Sequence, residues 1–72
     1  MDNEFRVMIN MKNGRSFDVN LQRETNDAED VASEMYRMLR AVKTRKEGFF
    51  RLGHVCVDVE GVSTIFAFGP LD

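Results

Sequence analysis

From Glu4 to Met11 hydrophobic and polar residues alternate. Phe5, Val7, Ile9 and Met11 share one parity, while Glu4, Arg6, Asn10 and Lys12 fall on the other. Phe17, Val19 and Leu21 repeat the pattern against Ser16, Asp18, Asn20 and Gln22. Period two over both runs predicts two half-buried strands, and the Asn13-Gly14 between them is a strong hairpin signal. Parity also selects the loop length, because directly paired residues of an antiparallel hairpin lie on one face. A two-residue loop would pair Ile9 with Asp18 and oppose Lys12 to Arg15. A three-residue loop of Lys12, Asn13 and Gly14 pairs Met11 with Arg15, Ile9 with Phe17, Val7 with Val19 and Phe5 with Leu21. The three-residue loop is the expectation, with Gly14 in the left-handed position that a missing Cβ permits.

The period then changes. Ala28, Val31, Ala32, Met35, Leu39 and Val42 recur at three and four, with Met38 at the margin of the stripe, and Glu29, Asp30, Ser33, Glu34, Arg37, Arg40 and Lys43 fill the opposite side. This predicts an amphipathic helix from about Asp27 to about Lys46. Asn26 with Glu29 fits a capping box, Gly48 suits the residue just past the end, and acids lead while cations trail along the helix dipole.

Strand periodicity returns after the helix. Val55, Val57 and Val59 alternate with His54, Cys56 and Asp58, and Val62, Thr64, Phe66 and Phe68 with Ser63, Ile65 and Ala67. A two-residue Glu60-Gly61 loop would pair Val59 with Val62, Val57 with Thr64 and Val55 with Phe66, leaving Gly53 opposite Phe68. Phe49, Phe50 and Leu52 lead into this hairpin, with Gly53 as a bend or bulge. The expected architecture is a single α+β domain over residues 1–72: ββαββ, two antiparallel hairpins forming a sheet with the helix packed on one face. One helix covers one face only. Parity puts Met8, Leu52, Cys56, Ile65 and Ala67 on the other, a partly apolar set that marks a dimer face in so short a chain. On that reading Ile65→Lys yields a monomer.

Composition narrows the function classes. In 72 residues, 10 Lys+Arg stand against 12 Asp+Glu for a net charge of −2, and the pI is near 5.3. Bulk electrostatic binding of nucleic acid usually shows the opposite balance. One Cys and one His build neither an intrachain disulfide nor a closed metal site. The acidic start at Asp2 and Glu4 lacks the features of a signal peptide, and no run spans a membrane, so a cytoplasmic protein is expected.

Few residues suggest chemistry. His54 and Cys56 share a strand face, but a thiolate–imidazole dyad needs an exposed electropositive cleft, and a small packed Cys is the simpler reading. Asp18, Asp58 and Glu60 read as solvent-side decoration rather than paired acid–base groups. Phosphate loops, dinucleotide fingerprints and nucleophile elbows are lacking. Six cations cluster late: Arg37, Arg40 and Lys43 on the outer helix face, then Arg45, Lys46 and Arg51. They offer a contact for nucleic acid or an acidic partner, or a solvated helix end paired with Glu29, Glu34 or Glu47. The aromatics read as core, leaving no stacking platform for bases on the outer sheet face.

The Lys12-Asn13-Gly14 turn, the amphipathic helix, Phe49-Phe50-Arg51-Leu52-Gly53 and Val62-Ser63-Thr64-Ile65-Phe66 together resemble a loose group of small uncharacterised ββαββ proteins from Gram-positive bacteria and their phages. The resemblance covers most of the chain as a pattern of turns and hydrophobics. It implies an accessory protein, of phage or prophage kind, with no assigned activity. The sequence thus points to a non-enzymatic interaction module without cofactors, a homodimer able to bind another protein. The alternative is a small nucleic-acid-binding regulator using the basic helix face.

Overall fold

The first hairpin forms in the register that parity selects. In the computed structural model, which describes residues 2–71, β1 (Asn3–Met11) pairs antiparallel with β2 (Ser16–Arg23), placing Ile9 opposite Phe17, Val7 opposite Val19 and Phe5 opposite Leu21. The Met11 N–H donates to the Arg15 carbonyl at 2.8 Å and closes the loop, and Gly14 has φ +91°. Phe5, Val7, Ile9 and Val19 are buried, and Phe17 and Leu21 pack against the same core.

Helix α1 (Ala28–Thr44) buries Val31, Met35, Leu39 and Val42. Its caps differ from those expected. Asp27, not Asn26, is the N-cap, with its carboxylate accepting from the Glu29 N–H at 3.0 Å. Thr25 moves the cap one residue on: its hydroxyl accepts from the Asp27 N–H at 3.1 Å and donates to Asp30 at 2.7 Å. At the far end Lys46, not Gly48, takes the left-handed position, with φ 58°. The Lys46 N–H reaches the Lys43 carbonyl at 3.1 Å and the Glu47 N–H reaches Val42 at 3.2 Å, the paired bonds of a Schellman motif. The Gly48 carbonyl instead accepts from the Val59 N–H at 2.9 Å.

The second half departs from the expected pairing. The second hairpin is β3 (Phe49–Leu52) with β4 (Val55–Asp58), turned at Gly53 and His54, with Phe50 opposite Val57 and Leu52 opposite Val55. Gly53, φ +57°, is the first loop residue, and a Cβ there would come within 2.9 Å of the Val19 Cγ1. Glu60-Gly61 is no hairpin loop but part of a 3-10 turn over Val59–Gly61, where the Asp58 carboxylate accepts from the Glu60 N–H. The chain then crosses to β5 (Val62–Leu71), which pairs with β1 rather than β4. The result is a three-stranded antiparallel sheet, β2-β1-β5, and a separate two-stranded pair, β3-β4. Strand lengths match within each pair: nine-residue β1 with ten-residue β5, and four-residue β3 with four-residue β4.

A bulge in β5 reverses the faces predicted for its outer half. Met11 lies opposite Val62 and Asn10 opposite Thr64, so Ser63 is left without a partner. One unpaired residue shifts the period-two alternation by one position. Val62 and Ile65 therefore both face the core, while Phe66 and Phe68 turn outward at 49% and 48% exposure. Ile65 is only 2% exposed, opposite Ile9, and Leu52 only 4%. The expected dimer face of Met8, Leu52, Cys56, Ile65 and Ala67 is consequently not a surface. Leu52 and Ile65 are core, Ala67 packs against the core, Cys56 is exposed on β4, and only Met8 belongs to the outer sheet face.

The corrected faces change what substitutions do. Ile65→Ala should lower the unfolding free energy by about 2–5 kcal/mol in urea titration, and Ile65→Lys should unfold the domain rather than dissociate it; Phe66→Ala should cost far less. Lys46→Gly should raise stability by about 0.5–1 kcal/mol in the same titration, because glycine removes the side-chain strain of the left-handed position at some cost in unfolded-chain entropy.

Candidate interaction surfaces

The outer face of the three-stranded sheet is graded from polar to apolar. Its polar end is a hydrogen-bonded row across all three strands: the Ser16 hydroxyl donates to Asn10 Oδ1 at 2.6 Å, and Asn10 Nδ2 donates to Thr64 Oγ1 at 3.1 Å. The next rows pair Asp18, Met8 and Phe66, then Asn20, Arg6 and Phe68. The Phe66 and Phe68 rings have centroids 6.4 Å apart and are tilted by 39°. Apolar surface thus gathers along β5 with Met8 beside it, and polar surface along β2. These two phenylalanines escaped sequence reasoning because both parities of β5 are apolar, and the bulge alone decides which is buried.

The basic cluster is exposed throughout but is not one stripe. Arg45 is tied to Glu47, Nε to Oε1 at 2.7 Å. It lines one recess with Arg51, Met38, Phe49 and Phe50 near the helix C-terminus. Lys46 is exposed in the turn that follows. Arg37 contributes through space to the charge around Glu34. Arg40 and Lys43 line a different recess with Tyr36, Leu39, Val62 and Ser63, where the helix meets the start of β5. Among the described residues, Arg37, Arg40 and Lys43 form no salt bridge.

His54 and Cys56 line a groove of about 400 Å³ with Ser16, Phe17 and Asp18, between the edges of β2 and β4. Both are exposed, and no hydrogen bond links them to each other or to Asp18. Among the described residues, neither side chain has a hydrogen-bonded proton acceptor of the kind that activates a nucleophile. The Asp58 carboxylate caps the 3-10 turn, while Glu60 lies within that turn and contributes only its backbone N–H to the cap. Among the described residues, no three His, Cys, Asp or Glu side chains cluster to hold a metal, and no helix is long and apolar enough to cross a membrane.

An ion pair ties the helix to the end of β2. Arg23 grips Glu34 in a fork, Nε to Oε1 at 2.9 Å and Nη2 to Oε2 at 2.9 Å, with both side chains about one-third exposed. The hydrogen bonds from Arg23 hold the Glu34 carboxyl below the usual carboxylate range, and the bonds to Glu34 raise Arg23 in turn. A lowered carboxyl pKa stabilises the fold above the unfolded value, and that contribution is lost as pH falls through the folded one. Glu34→Gln should therefore cost roughly 1 kcal/mol or less at neutral pH, as solvent screening limits so exposed a pair. Urea titrations at pH 7 and at pH 3 should show the gap between parent and variant narrowing with acid.

No protein-family model matches the chain, and neither the curated proteins nor the solved structures include a match.

Proposed function

We propose that the protein is a non-enzymatic module that self-associates through the outer face of β5. The observation that carries this reading is the pair Phe66 and Phe68, half-exposed side by side on a sheet face that no helix covers. Full burial of such a side chain is worth about 1.5–3 kcal/mol. A two-fold interface would bury four of these rings with two Met8 side chains. Charge on the face is also self-complementary: Arg6 lies opposite Phe68, and Asp18 opposite Met8. An isologous contact repeats every pairing twice, so Arg6 of each copy can face Asp18 of the other. A standard interface takes about 800 Å² from each partner, roughly a sixth of the 4930 Å² this chain exposes. An accessory role of phage or prophage kind rests on the sequence resemblance alone, and a second protein as partner would use the same aromatic face.

The nucleic-acid reading draws support from Arg37, Arg40 and Lys43, which are exposed without salt bridges among the described residues. It gains less from the newly exposed aromatics. Phe66 and Phe68 stand on the face of β5 opposite the helix, away from these cations. The exposed rings beside cations are Tyr36, with Arg40 and Lys43, and Phe49, with Arg45 and Arg51, in two separate recesses.

Sedimentation over a wide concentration range separates these readings. The parent should move from about the 8.3 kDa monomer towards twice that mass, with only modest sensitivity to salt, since the apolar contacts are not screened and exposed Arg6–Asp18 pairs contribute little. The double variant Phe66→Thr/Phe68→Thr keeps β-propensity and should stay monomeric with an unchanged far-UV spectrum. A parent that remains monomeric throughout refutes self-association. A salt-sensitive shift of an oligonucleotide, lost in Arg37→Ala/Arg40→Ala/Lys43→Ala, would favour the regulator instead.

A further inference from the structure

On the helix side of β5, away from the aromatic face, the geometry points to a binding site for a phosphate monoester in the recess formed by Tyr36, Arg40, Lys43 and Ser63. Tyr36, Arg40 and Lys43 follow one another at four and three residues along α1, so they share one helix face. The bulge brings Ser63, the residue β1 leaves unpaired, to the opposite wall. Leu39 and Val62 are the remaining lining residues, and both are buried.

Three features of this recess select the ligand. The first is its donor set. The Tyr36 hydroxyl accepts from the Ile65 N–H at 2.9 Å, so its own proton is free to donate outward. The Arg40 guanidinium offers a planar fork suited to phosphate, and Lys43 a point charge. Ser63 adds a hydroxyl, and no carboxylate lines the recess. A wall of donors with two positive charges fits an anion and repels a cation.

The second feature is charge match. The chain is net −2, yet Arg40 and Lys43 stand together here without a salt bridge among the described residues. A phosphate monoester carries about −1.5 to −2 at neutral pH, which two cations neutralise. A phosphodiester brings one charge per phosphate and rewards a track of cations. The neighbouring cations do not extend the recess into such a track, because Arg45 is held by Glu47 and Arg37 is not part of its lining.

The third feature is size. The recess measures about 250 Å³, below the roughly 300–1,000 Å³ of pockets for drug-sized ligands. It takes a phosphate head and the first carbons of its substituent, the latter against Leu39 and Val62, and leaves the rest of the ligand in solvent.

The test is amide correlation NMR on the whole chain, titrated with phenyl phosphate, dimethyl phosphate or sodium chloride at equal ionic strength. Phenyl phosphate should give saturable shifts centred on Tyr36, Lys43, Ser63 and Ile65. Dimethyl phosphate should bind at least about tenfold more weakly, as expected when one of two charge-assisted contacts loses its partner. Arg40→Gln/Lys43→Gln should abolish saturation while keeping the parent's spectral dispersion, and Tyr36→Phe should weaken it several-fold. The unmodified protein supplies an independent check: affinity should fall as pH drops below about 6, where the monoester dianion takes up a proton and becomes a monoanion. The site is refuted if chloride reproduces the shifts, if they spread over all cations without saturating, or if affinity ignores that pH step. Equal binding of dimethyl phosphate, or tighter binding of a single-stranded oligonucleotide at these residues, refutes the monoester in favour of a nucleic-acid backbone. Repeating the titration on Phe66→Thr/Phe68→Thr separates the site from self-association, since it should bind as the parent does.

Discussion

The unpaired Ser63 in β5 sets the arrangement of everything around it. A strand buries alternate residues, so Val62 and Ile65, three apart, can both face one core only if one residue between them drops out of the ladder. Both are buried, and the register places the extra residue between the partners of Met11 and Asn10. Without the bulge, a β5 that kept Val62 inward would send Ile65 to solvent and drive Phe66 and Phe68 into the space beneath α1. That space is already filled by Phe5, Val7, Ile9, Val31, Met35 and Leu39. Two further phenyl rings would overpack it. The chain therefore buries one isoleucine and leaves two rings outside, a local loss in burial that preserves a close-packed core.

Central position makes β1 the other fixed point. It pairs on both sides, and its inward residues Phe5, Val7 and Ile9 are fully buried. Both neighbours are edge strands, and exposed edges invite unwanted pairing. On β5 the risk is reduced at one point: the Ile65 N–H faces away from β1 and is taken by the Tyr36 hydroxyl. Near its end, Pro70 has no N–H to offer. On β2 the exposed side chains are Ser16, Asp18, Asn20 and Gln22, polar residues poorly suited to recruiting a partner through burial. Tyr36 thus acts on two levels, as a helix side chain that satisfies an edge amide and as one wall of a cationic recess.

How far the sequence was legible depends on whether a local rule had a competitor. The first hairpin had none: only the three-residue loop kept Asp18 off the apolar face, and register and turn both followed. The helix stripe was equally plain in Val31, Met35, Leu39 and Val42. The caps were not, because Asn26 and Asp27 are both good N-cap residues, and the choice of Asp27 goes with side-chain hydrogen bonds of Thr25 with Asp27 and Asp30 that lie outside the capping-box pattern. Lys46 in a left-handed position ran against its intrinsic preference, with Gly48 two residues on. In the second half two hairpins satisfied parity equally well. Phe50 and Leu52 against Val57 and Val55 give one apolar face, and so do Val55, Val57 and Val59 against the strand after Glu60-Gly61. Local pattern cannot choose between them. The choice is made by the ladder between β5 and β1, which are separated by most of the chain.

The same bulge explains why the surfaces were harder to read than the core. Burial patterns repeat along a strand, so an error of one position leaves the count of inward residues similar while exchanging the identity of every outward one. The inward set of β1, β2 and α1 was therefore readable, whereas Ile65 and Phe66 traded places. Both candidate surfaces meet at β5 on opposite faces, and both are set by where Ser63 drops out. Its outward half carries the rings, and its beginning, with Ser63 itself, forms a wall of the recess under Arg40 and Lys43. A strand that is paired on one side only, anchored there to the most buried strand of the domain, can present two chemically different faces without disturbing the core. Association on one face and anion binding on the other then require no shared side chain, and either can be removed by substitutions that leave the β1–β5 ladder in place.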